Sequence, residues 1–429
     1  METRQIVGLC GCLLVVLAAA RGVPAEEFQV NEYTTSSQGY AAISHDPSGG
    51  FVVAWESDYQ DGSSWGIFGR RFDSSGNAVG GDFQVNLVTI FPQSRPAISQ
   101  DPSGGFVVAW HSAFQDGEEN GVFGRRFDSS GNAVGVDFQV NLYTTSRQVF
   151  PTVSHDSLGG FVLAWESFGQ DGGSYGIFGR RFDSSGNALG GEFRVNLHTT
   201  YAQSRPRISQ DPSGGFVVAW QSYAQDGSGS GVFVRRFDSG GNALGPDFTV
   251  NQYLTGNQLF PAISQDPSGG FVVAWQSYGQ DGSHYGIFGR RFDSSGNALG
   301  AEFQVNQYTT ERQRYPTISQ DPSGGFVVAW ESAGQEGPGL GEGIFGRRFD
   351  SSGNALGAEF QVNQYTISSQ RRPAISHDPS AGFVVVWQSI SQDGSLYGVF
   401  GRRFDAPVPT VVSGPAGGGA SLVRRYQVE

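Results

Sequence analysis

The chain has 429 residues, 38% of them hydrophobic, and a mean hydropathy of −0.28, which argues against a membrane-embedded body. All 27 basic residues are arginine and the formal net charge is −13, so neither nucleic acid nor anionic lipid is expected as the main partner. Cys10 and Cys12 are the only cysteines and both lie near the start, which leaves the rest of the chain without disulfides, thiol chemistry or Cys-ligated metal.

In chain order, the first segment reads as a secretory signal. Arg4 supplies a small positive region, Ile6 to Ala20 is apolar, and Val23-Pro24-Ala25 offers small residues for cleavage. The expected signal peptide is therefore 1–25 and the mature start Glu26, with an uncleaved anchor as the alternative. A secreted, cell-surface or periplasmic location follows.

Residues 26–405 are a repeat array. Trp55, Trp110, Trp165, Trp220, Trp275, Trp330 and Trp387 recur every 55 residues, with a last gap of 57. In the first unit Ala41–Ser44 reads as strand A, which in most units follows a proline such as Pro96 or Pro151, placed at the strand's first position. Asp46-Pro47-Ser48-Gly49-Gly50 is a tight turn. Phe51–Trp55 is strand B, apolar on both faces. Gln60-Asp61-Gly62 lies in the B–C loop, Gly66–Phe72 is strand C, and Asp73–Asn77 is a second tight turn. Asp82–Asn86 alternates and suits an outer strand D. Four antiparallel strands per unit and seven units predict an all-β, seven-bladed β-propeller. Phe28–Asn31 is an orphan D strand and the seventh unit stops after strand C, so the N-terminal strand is expected to complete the last blade. The Pro/Gly-rich stretch 406–429 is expected to be a disordered tail.

The cassette Gly-Gly-Phe-Val-Val-Ala-Trp, Gln-Asp-Gly, Gly-Ile-Phe-Gly-Arg-Arg-Phe-Asp, Phe-x-Val-Asn resembles repeats of large secreted or surface bacterial proteins, which often accompany calcium-binding or adhesive modules. The likeness spans residues 28–405 and implies no catalytic residue.

Variation between units gathers on the face formed by the D–A and B–C loops, where recognition is expected. Three sets stand out there. The first is the loop aspartate, Asp61, Asp116, Asp171, Asp226, Asp281 and Asp393, with Glu336 in unit six; it reads either as a ligand ring or as a turn residue. Calcium loops gather several oxygen ligands closely in sequence, and here one carboxylate stands nearly alone, so no metal site is expected. The second is Trp65, Tyr175, Tyr285 and Tyr397, able to stack on a sugar face or to pack on their own loops. The third is Tyr40, Arg95, Phe150, Arg205, Phe260, Tyr315 and Arg372, before strand A, which would ring the channel mouth or stack on the next blade. The arginine pairs, Arg70-Arg71 and equivalents, are expected to meet local carboxylates. His45, His155 and His377 occupy an exposed turn slot. No unit shows a catalytic constellation, and no cofactor is implied. The expected function is a monomeric, non-enzymatic, multivalent module for a glycan or surface polymer. The alternatives are an adhesion scaffold docking another extracellular protein and a hydrolase acting on an extracellular polymer.

Overall fold

The computed structural model describes residues 26–337, 339–406, 409–410 and 425–426; the expected signal peptide and most of the expected tail lie outside the described residues. Seven four-stranded antiparallel sheets form the blades of a seven-bladed β-propeller, and no helix occurs among the described residues. In the first blade the strands run outward as A (Gln38–His45), B (Phe51–Asp58), C (Trp65–Phe72) and D (Ala78–Gln84). Each A strand contacts the A strands of both neighbouring blades, and the seventh meets the first, so the A strands wall a central axis.

The apolar run of strand B follows from this geometry. Phe51, Val53 and Trp55 pack with Val384, Val386 and Val399 of the seventh blade, while Val52 and Ala54 pack with Ile98, Phe106 and Trp110 of the second. Alternate residues thus serve opposite interfaces. All seven repeat tryptophans are fully buried there.

The Phe-x-Val-Asn anchor is equally physical. In the first blade Asn86 Oδ1 accepts the Ile67 N–H at 2.7 Å, and its Nδ2 donates to Val88 O (2.7 Å) and Gln93 Oε1 (3.0 Å). The side chain prolongs the C–D pairing and fixes the start of the next strand A. Phe28–Gln29 does the same for the last blade, pairing Phe28 with Gly401 and Gln29 with Phe400. Val30 N–H donates to Val399 O (2.8 Å), and Asn31 Oδ1 accepts the Val399 N–H (2.7 Å). The N-terminal strand therefore closes the ring.

One expectation is corrected and another is extended. Strand A begins earlier than Ala41, so Pro96 and Pro151 are interior to their strands, Gln93–Gln100 and Gln148–His155. The strand tolerates them because its register slips there, between Ser94 and Ala97 and between Val149 and Thr152. The arginine pairs do meet carboxylates in places, Arg70 with Glu32 (2.5 Å) and Arg125 with Asp137 (3.8 Å), and they also bond to backbone carbonyls of neighbouring blades. Arg125 Nη1 donates to Val85 O of the preceding blade (2.8 Å), whereas Arg71 donates to Ser130 O (2.6 Å) and Ser129 O (2.7 Å) of the following one. Because adjacent strand residues face opposite ways, one pair latches both interfaces. Arg71→Ala is expected to lower stability by about 1–2 kcal/mol. An unchanged urea midpoint would show that the latch contributes nothing.

Candidate functional site

Every strand A carries a bulge just before its fourth residue, and the bulged residue is left-handed: Tyr40 (φ 50°), Arg95 (59°), Phe150 (54°), Arg205 (59°), Phe260 (52°), Tyr315 (53°) and Arg372 (54°). Non-glycine residues in this region are strained and persist only where their surroundings hold them. They form a continuous stack around the mouth of the axis. The Arg95 guanidinium lies 3.3 Å from the Tyr40 ring centre and 5.4 Å from Phe150. Arg205 lies 3.8 Å from Phe150 and 5.4 Å from Phe260. Phe260 meets Tyr315 edge-on at 4.6 Å. Arg372 closes the circle at 3.5 Å from Tyr315 and 5.4 Å from Tyr40. These cation–π contacts place the third residue set both at the channel mouth and against its neighbours.

The clamp on this strain comes from the residue after each tryptophan. Glu56 Oε2 accepts the Arg95 N–H (2.9 Å), Glu166 Oε1 that of Arg205 (2.7 Å), and Glu331 Oε1 that of Arg372 (2.7 Å). Gln221, Gln276 and Gln388 do the same for Phe260 (2.9 Å), Tyr315 (3.0 Å) and Tyr40 (3.1 Å). His111 packs edge-on to Phe150 at 5.7 Å. A carboxylate stands wherever the next blade presents arginine, and a neutral side chain wherever it presents an aromatic ring. Sequence reading missed this ring. Its signal was present, because this slot varies beside an almost invariant Trp and changes in step with the slot 39 residues on in the next unit.

Burial dominates the chemistry of these groups. It raises Glu56, Glu166 and Glu331 to about 7, against the backbone bonds and arginine charges that oppose it. Burial likewise lowers His111 to about 3, keeping it neutral.

Two of the three acids line one pocket. A cavity of about 380 Å³ on the loop face is lined by Glu56 and Glu331, by the rings of Trp65 and Tyr397, and by Arg371 and Arg372. Glu331 Oε2 is sealed from solvent without a hydrogen-bond partner, and Arg314 Nη2 lies 3.8 Å from it. Glu342, in the slot that holds Trp65 in the first unit, fixes the pocket's arginines: its carboxylate is 2.9 Å from Arg371 and 3.4 Å from Arg314. Burial works against its ionisation, but bonds from Ser369 and Arg371 carry its pKa below the ordinary value.

The aromatic set divides. Trp65 and Tyr397 share the pocket, whereas Tyr175 and Tyr285 pack edge-on against Phe168 (5.1 Å) and Tyr278 (5.2 Å) of their own blades. All four open strand C and pair with the end of strand B, so they are strand residues and not loop tips. The loop aspartates engage their own blades. Asp116, Asp171, Asp226 and Asp281 accept the Nδ2 of the D-strand asparagines Asn141, Asn196, Asn251 and Asn306 at 3.0–3.3 Å. Asp61 and Asp393 accept backbone N–H groups of Ser63 and Ser395, and Glu336 accepts from Asn363 and Gln361. A Cβ at Gly66 would lie 2.5 Å from Asp61 Oδ2, which is why glycine follows the loop. His45, His155 and His377 are not exposed. Their rings pack tilted against Phe51, Phe161 and Phe383 at 5.2–5.3 Å at the opposite mouth, and burial lowers each to about 4. Among the described residues no group of three or more His, Cys, Asp and Glu is placed to hold a metal ion.

No protein-family model and no curated protein sequence matches the chain. Solved structures of similar fold include a protein of unknown function from Dyadobacter fermentans, with TM-score 0.52 and 10% identity over 76% of this chain and 98% of that one. A fungal alcohol oxidase in complex with copper has TM-score 0.52 and 10% identity over 90% of this chain and 76% of that one. A GH93 α-L-arabinofuranosidase of Fusarium graminearum in complex with arabinobiose has TM-score 0.47 and 12% identity over 89% and 98%. At these identities the likeness is one of fold.

The expectation of a non-enzymatic binding module is corrected. It rested on the absence of any catalytic constellation. The propeller is a fold that a solved alcohol oxidase also adopts, so the architecture does not set enzymes aside. The seven blades also depart from equivalence at the slot after tryptophan, and the departure brings two acids of raised pKa into one pocket.

Proposed function

We propose that the chain is a hydrolase acting on an extracellular polymer, with a glycan as the substrate class and the Glu56–Glu331 pocket as its site. The observation that carries this reading is the pair of buried acids, both near 7, in a pocket that also presents four aromatic rings and three arginines. Glycoside cleavage needs a proton donor and an ionised carboxylate together, and acids with pKa values near the working pH supply both. Glu56 is the proton donor to the leaving oxygen. Glu331, 3.8 Å from Arg314, is the partner that gives up its proton: its carboxylate opposes the positive charge that develops on the sugar ring, and it takes the proton of the water that adds to the anomeric carbon. Trp65 and Tyr397 stack on sugar faces. The extracellular setting rests on the N-terminal segment and its expected cleavage.

The test exploits the ring itself. Glutamine already fills this slot in three blades and makes the same bond, as Gln221, Gln276 and Gln388 show. Glu56→Gln and Glu331→Gln therefore preserve the clamp while removing the proton chemistry. Release of reducing ends from a panel of neutral and acidic polysaccharides is expected to fall about 100-fold or more in each variant, with the fold intact by circular dichroism. Full turnover in Glu56→Gln, or no cleavage of any polymer by the unaltered chain, would end this reading.

A further inference from the structure

Below the mouth the axis opens into a cavity of about 350 Å³ walled by the A strands. Its wall carries four arginines, Arg95, Arg205, Arg207 and Arg372, and no carboxylate lines it among the described residues. In a chain of formal charge −13 this is an unusual concentration of one sign.

Arg207 does not belong to the mouth ring. It lies two residues further along strand A, where the other six blades carry Ala42, Ala97, Thr152, Ala262, Thr317 and Ala374. Six small side chains and one long cation occupy equivalent places on the wall. The core does not require the arginine: its solvent-exposed surface faces this lumen, and the one side-chain hydrogen bond described for it runs to the carbonyl of adjacent Pro206 (2.9 Å). Enclosure by protein, then the charge of Arg205, lowers its pKa to about 10, with Glu166 opposing and Arg95 and Arg372 adding to the effect. The guanidinium is therefore charged at neutral pH and feels three other cations.

We infer that the axial cavity is an oxyanion site, with Arg207 at its floor and the guanidinium edges of Arg95, Arg205 and Arg372 above. Guanidinium groups offer paired N–H donors that match the oxygens of sulfate, phosphate or carboxylate, and four cations facing one lumen add their attraction for an anion. Two sources share this chemistry: a free inorganic oxyanion, and an acidic group on a glycan reaching the mouth.

Isothermal titration calorimetry of the full chain with inorganic sulfate, inorganic phosphate, glucuronate and glucose separates them. Binding of sulfate or phosphate but not glucuronate assigns a free oxyanion. Binding of glucuronate but not glucose assigns an acidic sugar. Either supports the site. Arg207→Thr, a residue already native at Thr152 and Thr317, is expected to weaken that binding about tenfold, and raising the salt concentration should weaken it in the unaltered chain. No heat with any of the three anions, or equal affinity in Arg207→Thr, would overturn the inference. Calorimetry needs no turnover, so its outcome is independent of whether Glu56 and Glu331 catalyse.

Discussion

A chain lacking residues 26–31 is expected to unfold about 5–10 °C below the intact protein, or to fail to fold. The loss is local in sequence but not in structure. Val30 is fully buried in the cluster shared by the first and seventh blades. The Phe28 ring lies 5.4 Å from Phe72 and 6.2 Å from Phe51 of the first blade. Burying Val30 fully and Phe28 in part contributes about 2–5 kcal/mol, a large share of the whole margin of many domains. Asn31 adds the bond to Val399, and Glu27 accepts from Gln392 at 2.9 Å across the closure. Without these groups strand C of the last blade has a bare edge, and the interface between the first and last blades loses one wall. A companion variant separates closure from simple truncation. Appending a C–D turn and a Phe-x-Val-Asn strand after Asp405 supplies the seventh blade's missing strand from the other terminus. That addition is expected to recover most of the melting temperature. Equal melting of the deletion and the intact chain would refute closure by this strand.

The fold was legible because each blade repeats one physical solution. A doubly apolar strand B with a tryptophan, two Asp-initiated turns and an asparagine that prolongs the C–D pairing recur in register, so every blade carries the same pattern. The site was legible only where composition varied on the loop face. Trp65, Tyr397, Arg372 and Tyr40 were singled out and do line the pocket. Glu56 and Glu331 were passed over because they sit inside strand B, beside the most regular residue of the chain. A strand residue that points along the axis to clamp a neighbour's bulge cannot be told from a core position by alternation alone. What distinguishes it is pairing across units, glutamate with arginine and glutamine with an aromatic ring. Arg207 was missed for a different reason. One arginine among six small residues is visible only once the seven A strands are known to face a single lumen.

Glu166→Gln is expected to raise stability in alkaline solution and to leave it unchanged in acid. Glu166 clamps Arg205 as Glu56 clamps Arg95, but it does not line the Glu56–Glu331 pocket, so its titration is read without the proposed chemistry. Its pKa is about 7 in the folded chain against 4.5 ordinarily, with burial the main cause. Between those values the folded state holds a proton that the unfolded state has lost. The stabilisation is complete below about pH 4.5 and disappears as the pH rises through 7, a difference of about 3 kcal/mol at the alkaline limit. The buried histidines pull the other way. His45, His155 and His377 at about 4 and His111 at about 3 are neutral when folded, so their contribution is lost as the pH falls from 6.5 through 4. Stability of the intact chain should therefore peak near pH 6 and decline on both sides. Glutamine cannot ionise and makes the same bond in three other blades, so Glu166→Gln removes one contribution to the alkaline decline and none of the acid one. Thermal melts at pH 4 and pH 8.5 provide the check. Coincidence at pH 4 with a higher melting temperature for the variant at pH 8.5 is the expected pattern. A lower melting temperature for Glu166→Gln at pH 8.5 would mean that the carboxylate is ionised and stabilised by Arg205. The charge of the whole Glu–Arg ring would then have to be reassigned.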